Sequence, residues 1–240
     1  MTIAHSRLDR FIAEKCQISR RKVRLMLAQK RIQVDGLVVD DIGLIINKFS
    51  HVELDGQTLQ ANKAYYLMLH KPIGVVCATK DEQHQTVIDL LEHPAKNELH
   101  IVGRLDLNTS GLVLLTNDSR WSERLMSPEH KVAKKYLVTL ANPVTPDYIN
   151  AFAQGMYFEF EDITTLPVKL KIISDYQVEV ELLEGKYHQI KRMFGRFRNP
   201  VIGLHRYAIG NLTLDETLLV GVSRALTTQQ VTTIFTASNE

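Results

Sequence analysis

The chain has 240 residues, 45% of them apolar, and a net charge of +2, enough for a sizeable core in one large domain or in a small domain joined to a medium one. No apolar run approaches the roughly 20 residues of a membrane helix, and no basic start leads into an apolar leader, so a soluble, cytoplasmic protein is expected. Cys16 and Cys77 form no CxxC pair and the nearest histidines, His93 and His100, miss helical metal spacing, so neither a disulfide framework nor a metal cofactor is expected.

In chain order, Ser6 to Asp9 has capping-box character, and Leu8, Phe11 and Ile12 recur at helical spacing, predicting a helix from about Arg7 to Lys15. Ser19 is an N-cap for a second helix, Arg20 to Gln29, with Val23, Met26 and Leu27 on one face and Arg20, Arg21 and Arg24 elsewhere. "RIQVDGLVV" reads as two short strands around Asp35-Gly36, and "HVELDG" repeats the strand-then-turn pattern at Asp55-Gly56. Residues 1–60 make a small domain and 61–64 a polar linker, leaving 65–240 as a larger second domain. There, "YYLMLHKP" is a strand stopped by Pro72, "GLVLLT" a buried strand, and Asn117-Asp118 the cap of a helix that runs through Met126. "KKYLVTL" and the alternating "QVEVEL" are further strands. Gly185 then opens a helix whose apolar stripe is Ile190, Met193, Phe194 and Phe197. Strands and helices without regular βαβ alternation predict an α+β fold on a mixed, largely antiparallel sheet.

The small net charge conceals segregation. Residues 1–31 hold nine Lys/Arg against Asp9 and Glu14, residues 185–206 hold six and no acid, and the rest of the chain is left at −11. Two basic segments in an otherwise acidic chain suit a polyanionic partner, because phosphate neutralisation releases counterions. Each segment alone is also compatible with a solvated helix face.

Asp106 stands in "GRLDLNTSGLVLLTND", in a loop at the entrance of a buried strand, with Arg104 beside it and a turn sequence after it. Loops held by a rigid sheet concentrate catalytic groups. Aspartates in turns more often bond backbone amides, and the local residues favour that structural role.

Three segments in this order, "GRLDLNTSGLVLLTND", "KKYLVTL" and "EGKYHQIKRMF", resemble the RsuA family of pseudouridine synthases. "RLDRFIAEKCQISRRKVRLMLAQKRIQVDG" resembles the S4 RNA-binding domain carried by that family, and the likeness extends from about Arg7 to about Leu226. It implies an S4-like domain at 1–60 and a synthase domain at 65–240. It also implies Asp106 as the catalytic carboxylate, Tyr136 as the aromatic stacking on the target base, and Lys191 as the cation paired with Asp106. Lys191 stands where many pseudouridine synthases have arginine, which keeps the charge but loses bidentate geometry. Arg20, Arg21, Arg24, Arg104, Lys186, His188, Gln189, Arg192 and Arg206 become the candidate RNA contacts.

The implied reaction, conversion of a uridine to pseudouridine, requires no redox cofactor, and no cofactor is expected. "YYLMLHKPIGVVCAT", "SPEHKVAKKYLVTL" and "LHRYAIG" look most like the small-subunit branch of the family. The implied partner is therefore 16S ribosomal RNA, in a partly assembled small ribosomal subunit, met by a monomer with no membrane attachment. Two alternatives stand beside this: a large-subunit (23S) synthase, and a non-catalytic S4-type RNA-binding or assembly factor. A glycoside hydrolase built on Asp106 lacks an evident acid partner and leaves the basic segments unexplained.

Overall fold

In the computed structural model, which describes residues 5–236, the chain divides into two units, Met1–Ala64 and Tyr65–Glu240. The first unit opens with strand β1 (His5–Arg7), helix α1 (Leu8–Cys16) and helix α2 (Arg20–Ala28), followed by β2 (Ile32–Val34), β3 (Leu37–Val38), β4 (Ile45–Asn47), β5 (Val52–Leu54) and β6 (Gln57–Gln60). Antiparallel β3-β2-β5-β6 form one sheet, and β1 pairs with β4. The core is the apolar stripe of both helices, Leu8, Ile12, Val23 and Leu27, closed against Ile32 and Val52. Ser19 caps α2, accepting from the Lys22 amide. Asp35-Gly36 and Asp55-Gly56 all take positive φ, the type I′ geometry that matches strand twist in two-residue hairpins.

Helix α1 starts differently from the expectation. Ser6 lies in β1, its hydroxyl donating to the Arg7 carbonyl, and Arg7 occupies the cap position with no side-chain cap bond. Asp9 does not close a capping box because its carboxylate, fully buried, receives Arg7 and Arg20 at 3.2 and 2.9 Å.

The second unit is built on a nine-stranded sheet. Its elements are β7 (Tyr66–Lys71), β8 (His100–Val102), β9 (Ser110–Thr116), α3 (Ser119–Met126), β10 (Lys134–Leu140), α4 (Asp147–Gln154), a small β11–β12 hairpin (Tyr157–Phe158, Ile163–Thr164), β13 (Lys169–Ser174), β14 (Gln177–Leu182), α5 (Gln189–Gly195), β15 (Val201–Ile209), β16 (Leu212–Thr213), β17 (Ser223–Ala225) and α6 (Thr228–Thr233). The path runs β13-β14-β10-β15-β9-β7-β17, with β8 beside β9 and β16 beside β15. Every pairing is antiparallel except β9 with β15, so the mixed, largely antiparallel α+β sheet is observed.

The run Leu112–Leu115 is wholly buried because β9 is covered on both faces. Val113 and Leu115 join one core and Leu112 and Leu114 the other. Asp118 caps α3 by accepting from the Arg120 and Trp121 amides. Gly185 does not open a helix as expected. Gly185 and Lys186 are irregular, residues 187–188 form a turn, and α5 begins only at Gln189, with Ile190, Met193 and Phe194 in the core. Phe197 follows the helix and stacks on Tyr148 at 4.0 Å.

Candidate active site

The loop between β8 and β9 is tied down on several sides. The Arg206 guanidinium, buried beneath it, donates from Nε to the Leu112 carbonyl (2.8 Å) and from Nη2 to the Gly103 carbonyl (2.6 Å). Where β9 runs parallel to β15, Gly111 lies against Arg206, and a Cβ there would overlap the Arg206 carbonyl oxygen and amide nitrogen. Lys71, at the end of β7, is fully buried, and its Nζ donates to the carbonyls of Thr109 (2.7 Å), Pro72 (2.9 Å) and Leu107 (3.4 Å). Burial pushes the Lys71 ammonium below its ordinary range, partly offset by Asp106. The Thr109 amide bonds the Asp106 carbonyl and closes the turn. With loop ends and turn carbonyls held, Asp106 projects from a fixed backbone.

Asp106 is about one-third exposed, and its Oδ2 lies 3.3 Å from both Lys191 Nζ and His188 Nε2. Both partners come from the start of α5, an element anchored by Ile190, Met193 and Phe194. His188 caps that helix in the left-handed region, φ 48° and ψ 31°, a conformation with a cost for a bulky residue and one that concentrates at functional sites. Its imidazole stacks on the exposed Tyr187 at 3.9 Å. Tyr136, on β10, packs partly against two of the cores and presents itself to the same cleft. Arg104, Thr109, Leu182, Lys186 and Leu204 complete the walls of this cleft, about 110 Å³ in volume and open to solvent. A carboxylate, two nitrogen donors and an aromatic face thus converge on one concavity that could take a planar base with its sugar.

The candidate contacts separate into distinct groups. Asp106, Tyr136, Lys191, His188, Lys186 and Arg104 share the cleft. Gln189 borders it but is 3% exposed and spent internally, accepting from the Lys186 amide and donating to Glu184. Arg206 is 2% exposed and holds backbone carbonyls, so it braces the loop instead of offering a surface charge. Arg192 stacks on Phe158 and forms a two-pronged 2.6 Å ion pair with Glu161, which ties α5 to the β11–β12 hairpin. In the first unit, Arg21 and Arg24 are exposed, while Arg20 is engaged by Asp9. Sequence reasoning passed over Lys71, whose signal was a lysine immediately before the strand-ending proline, and Lys134, the first residue of β10. Among the described residues, no cluster of His, Cys, Asp and Glu is suited to a metal ion, and no helix is long and apolar enough to cross a membrane.

Comparison with known proteins gives consistent matches. Residues 65–195 match the RNA pseudouridylate synthase family and residues 6–60 the S4 domain. The chain is 47% identical to the ribosomal small subunit pseudouridine synthase A of Pseudomonas aeruginosa, over 95% of this chain and 100% of that protein. It is 42% identical to the protein of that name from Escherichia coli, over 95% and 99% of the two chains. A solved pseudouridylate synthase crystal structure, 40% identical, superposes with a TM-score of 0.69 over 95% of this chain and 99% of its own.

Proposed function

Because the chain belongs to the RNA pseudouridylate synthase family and carries an S4 domain ahead of its synthase domain, we propose that it converts one uridine of 16S ribosomal RNA to pseudouridine, with Asp106 as the reacting carboxylate. The observation that carries this reading is the convergence of Asp106, Lys191, His188 and Tyr136 on one cleft. The ribosomal substrate rests on relatives named for the small subunit that match nearly end to end.

The reaction is redox-neutral. The N1–C1′ bond breaks, the uracil turns, a C5–C1′ bond forms, and the proton lost from C5 is balanced by one gained at N1. An ionised Asp106 suits two routes: attack on the nucleotide, or removal of the C2′ proton. Lys191 and His188 meet the same oxygen, so each fixes the carboxylate's orientation and leaves Oδ1 for the substrate. A uridine inside a helix cannot reach this cleft, so it must be unpaired or flipped, and Tyr136 then replaces part of the lost stacking. Arg104 and Lys186, at the cleft mouth, hold backbone phosphates.

In the first unit Arg21 and Arg24 offer charge to RNA, whereas Arg20 supports α2 through Asp9. The protein works as a monomer in the cytoplasm on a partly assembled small subunit. Mapping pseudouridine in 16S RNA from cells with and without the protein tests the reading. One uridine should lose its modification and regain it with the wild-type protein. Asp106→Asn should restore nothing while binding RNA within about twofold of wild type; restoration by the variant would remove Asp106 from the chemistry.

A further inference from the structure

A second pocket adjoins the catalytic cleft and shares Arg104, Tyr136 and Lys186 with it. It has a volume of about 620 Å³, within the range of pockets that take a small ligand. Lys134 and Arg206 also line it. Lys134 is 8% exposed, and among the described residues its ammonium has no hydrogen bond or ion pair. Burial depresses its proton affinity, and Arg206, another cation, adds to the effect. Glu184, the one carboxylate of the lining, already accepts from the Leu166 amide and from Gln189, and sits 3.9 Å from Lys186. Arg104, Lys134 and Lys186, with the carbonyl-bound Arg206 behind them, therefore face one engaged carboxylate.

A mostly buried ammonium with no anion in contact is poorly compensated, and an anion entering the pocket it lines would stabilise it. The neighbouring cleft defines the source of that anion. Lys134 lies two residues before Tyr136 on β10, about 7 Å along the strand. A polynucleotide whose base rests on Tyr136 must pass its own backbone close by.

We propose that this second pocket seats a phosphodiester of the RNA next to the target uridine, with the Lys134 ammonium as its anchor. The identity of the RNA rests on the function proposed above; the anion site itself rests on the pocket and its buried cation. Lys134 is a binding residue here and takes no part in bond making.

The test compares wild type, Lys134→Met and Lys134→Arg for binding to unmodified 16S RNA across salt concentrations. Removing one phosphate contact should lower the salt slope by about 0.7 for a single strand, so between about 50 and 200 mM salt the Met variant should lose about 2.5-fold less affinity than wild type. Turnover should show a raised KM with kcat retained, and Lys134→Arg should recover both slope and KM. In the wild-type protein, the same RNA should shield Lys134 from reductive methylation read by mass spectrometry, a measurement that needs no variant to fold. An unchanged slope, a fall in kcat alone, or a Lys134 equally methylated with and without RNA would each overturn the assignment. A wild-type protein that makes no pseudouridine yet shows the slope change and the shielding would instead remove the proposed activity and leave the anion site standing.

Discussion

Replacing Lys71 with methionine should damage turnover far more than stability. The ammonium is fully buried and makes two well-formed bonds, to the Thr109 and Pro72 carbonyls at 2.7 and 2.9 Å, with a longer third to Leu107 at 3.4 Å. Bonds to a charged donor contribute about 1.5–3 kcal/mol each, so the two good ones supply roughly 3–6 kcal/mol. Against this stands the several kcal/mol needed to desolvate an ammonium with no carboxylate in contact. The two nearly cancel. Lys71→Met should change global stability by at most about 2 kcal/mol, or under about 8 °C in Tm for a unit of this size. The local consequence does not cancel, because methionine of similar length donates nothing and the Thr109 and Leu107 carbonyls lose their tether on the Asp106 turn. A displacement of about 1 Å at the reacting group lowers rate about 100-fold. The assay pairs single-turnover pseudouridine formation with calorimetry and RNA binding: the rate about 100-fold down, Kd unchanged, Tm shifted by under about 8 °C. A variant turning over at the wild-type rate would refute the idea that Lys71 holds the loop. One that simply unfolds would refute the cancellation.

Gly111→Ala should destabilise the second unit by more than about 3 kcal/mol, since φ is +112° and the new Cβ would overlap the Arg206 backbone where β9 and β15 pair; a melt within 2 °C of wild type would contradict this. Burial alone would raise the Asp9 carboxyl, but Arg20 and Arg7 bonded to it win and hold it below its usual value. Its stabilising contribution is therefore present above the ordinary carboxylate range and lost as pH falls through its lowered value. Asp9→Asn should lower first-unit stability at pH 7 by about 1–3 kcal/mol, discounted because both arginines are half-exposed, and should flatten the acid limb of the stability–pH curve; a difference that persists unchanged to pH 2 would argue against the ion-pair account. Arg21→Ala with Arg24→Ala should weaken RNA binding and lower the salt slope by about 0.7–0.9 per contact, read by filter binding at several salt concentrations, and an unchanged slope would show that these side chains do not meet phosphate.

Much of the architecture is written in local pattern. Ser19 and Asp118 cap helices because each side-chain oxygen reaches amides two or three residues on. Alternation set β14, and the unbroken apolar run of β9 announced a strand covered on both faces. The nine-residue β15 was not legible, because Gly203, His205 and Arg206 interrupt its apolar pattern. His205 and Arg206 are the positions where β15 meets β9 and carries the brace beneath the loop, and Gly203 lies against Thr139 of β10, demands set by packing rather than by propensity.

The sequence by itself placed Asp106 in a specific motif, and motif order pointed to the family and, through that resemblance, to Asp106 as the expected reacting carboxylate. It could not determine which cations are free to act. Lysine and arginine look alike in a charge count, yet burial separates Arg206 and Lys71, consumed by backbone carbonyls, from Lys191, which faces Asp106 across 85 residues of chain. Only the tertiary structure decided this, because a charge's role depends on which anion or carbonyl the fold brings within about 3 Å, and those partners come from strands and turns distant in sequence.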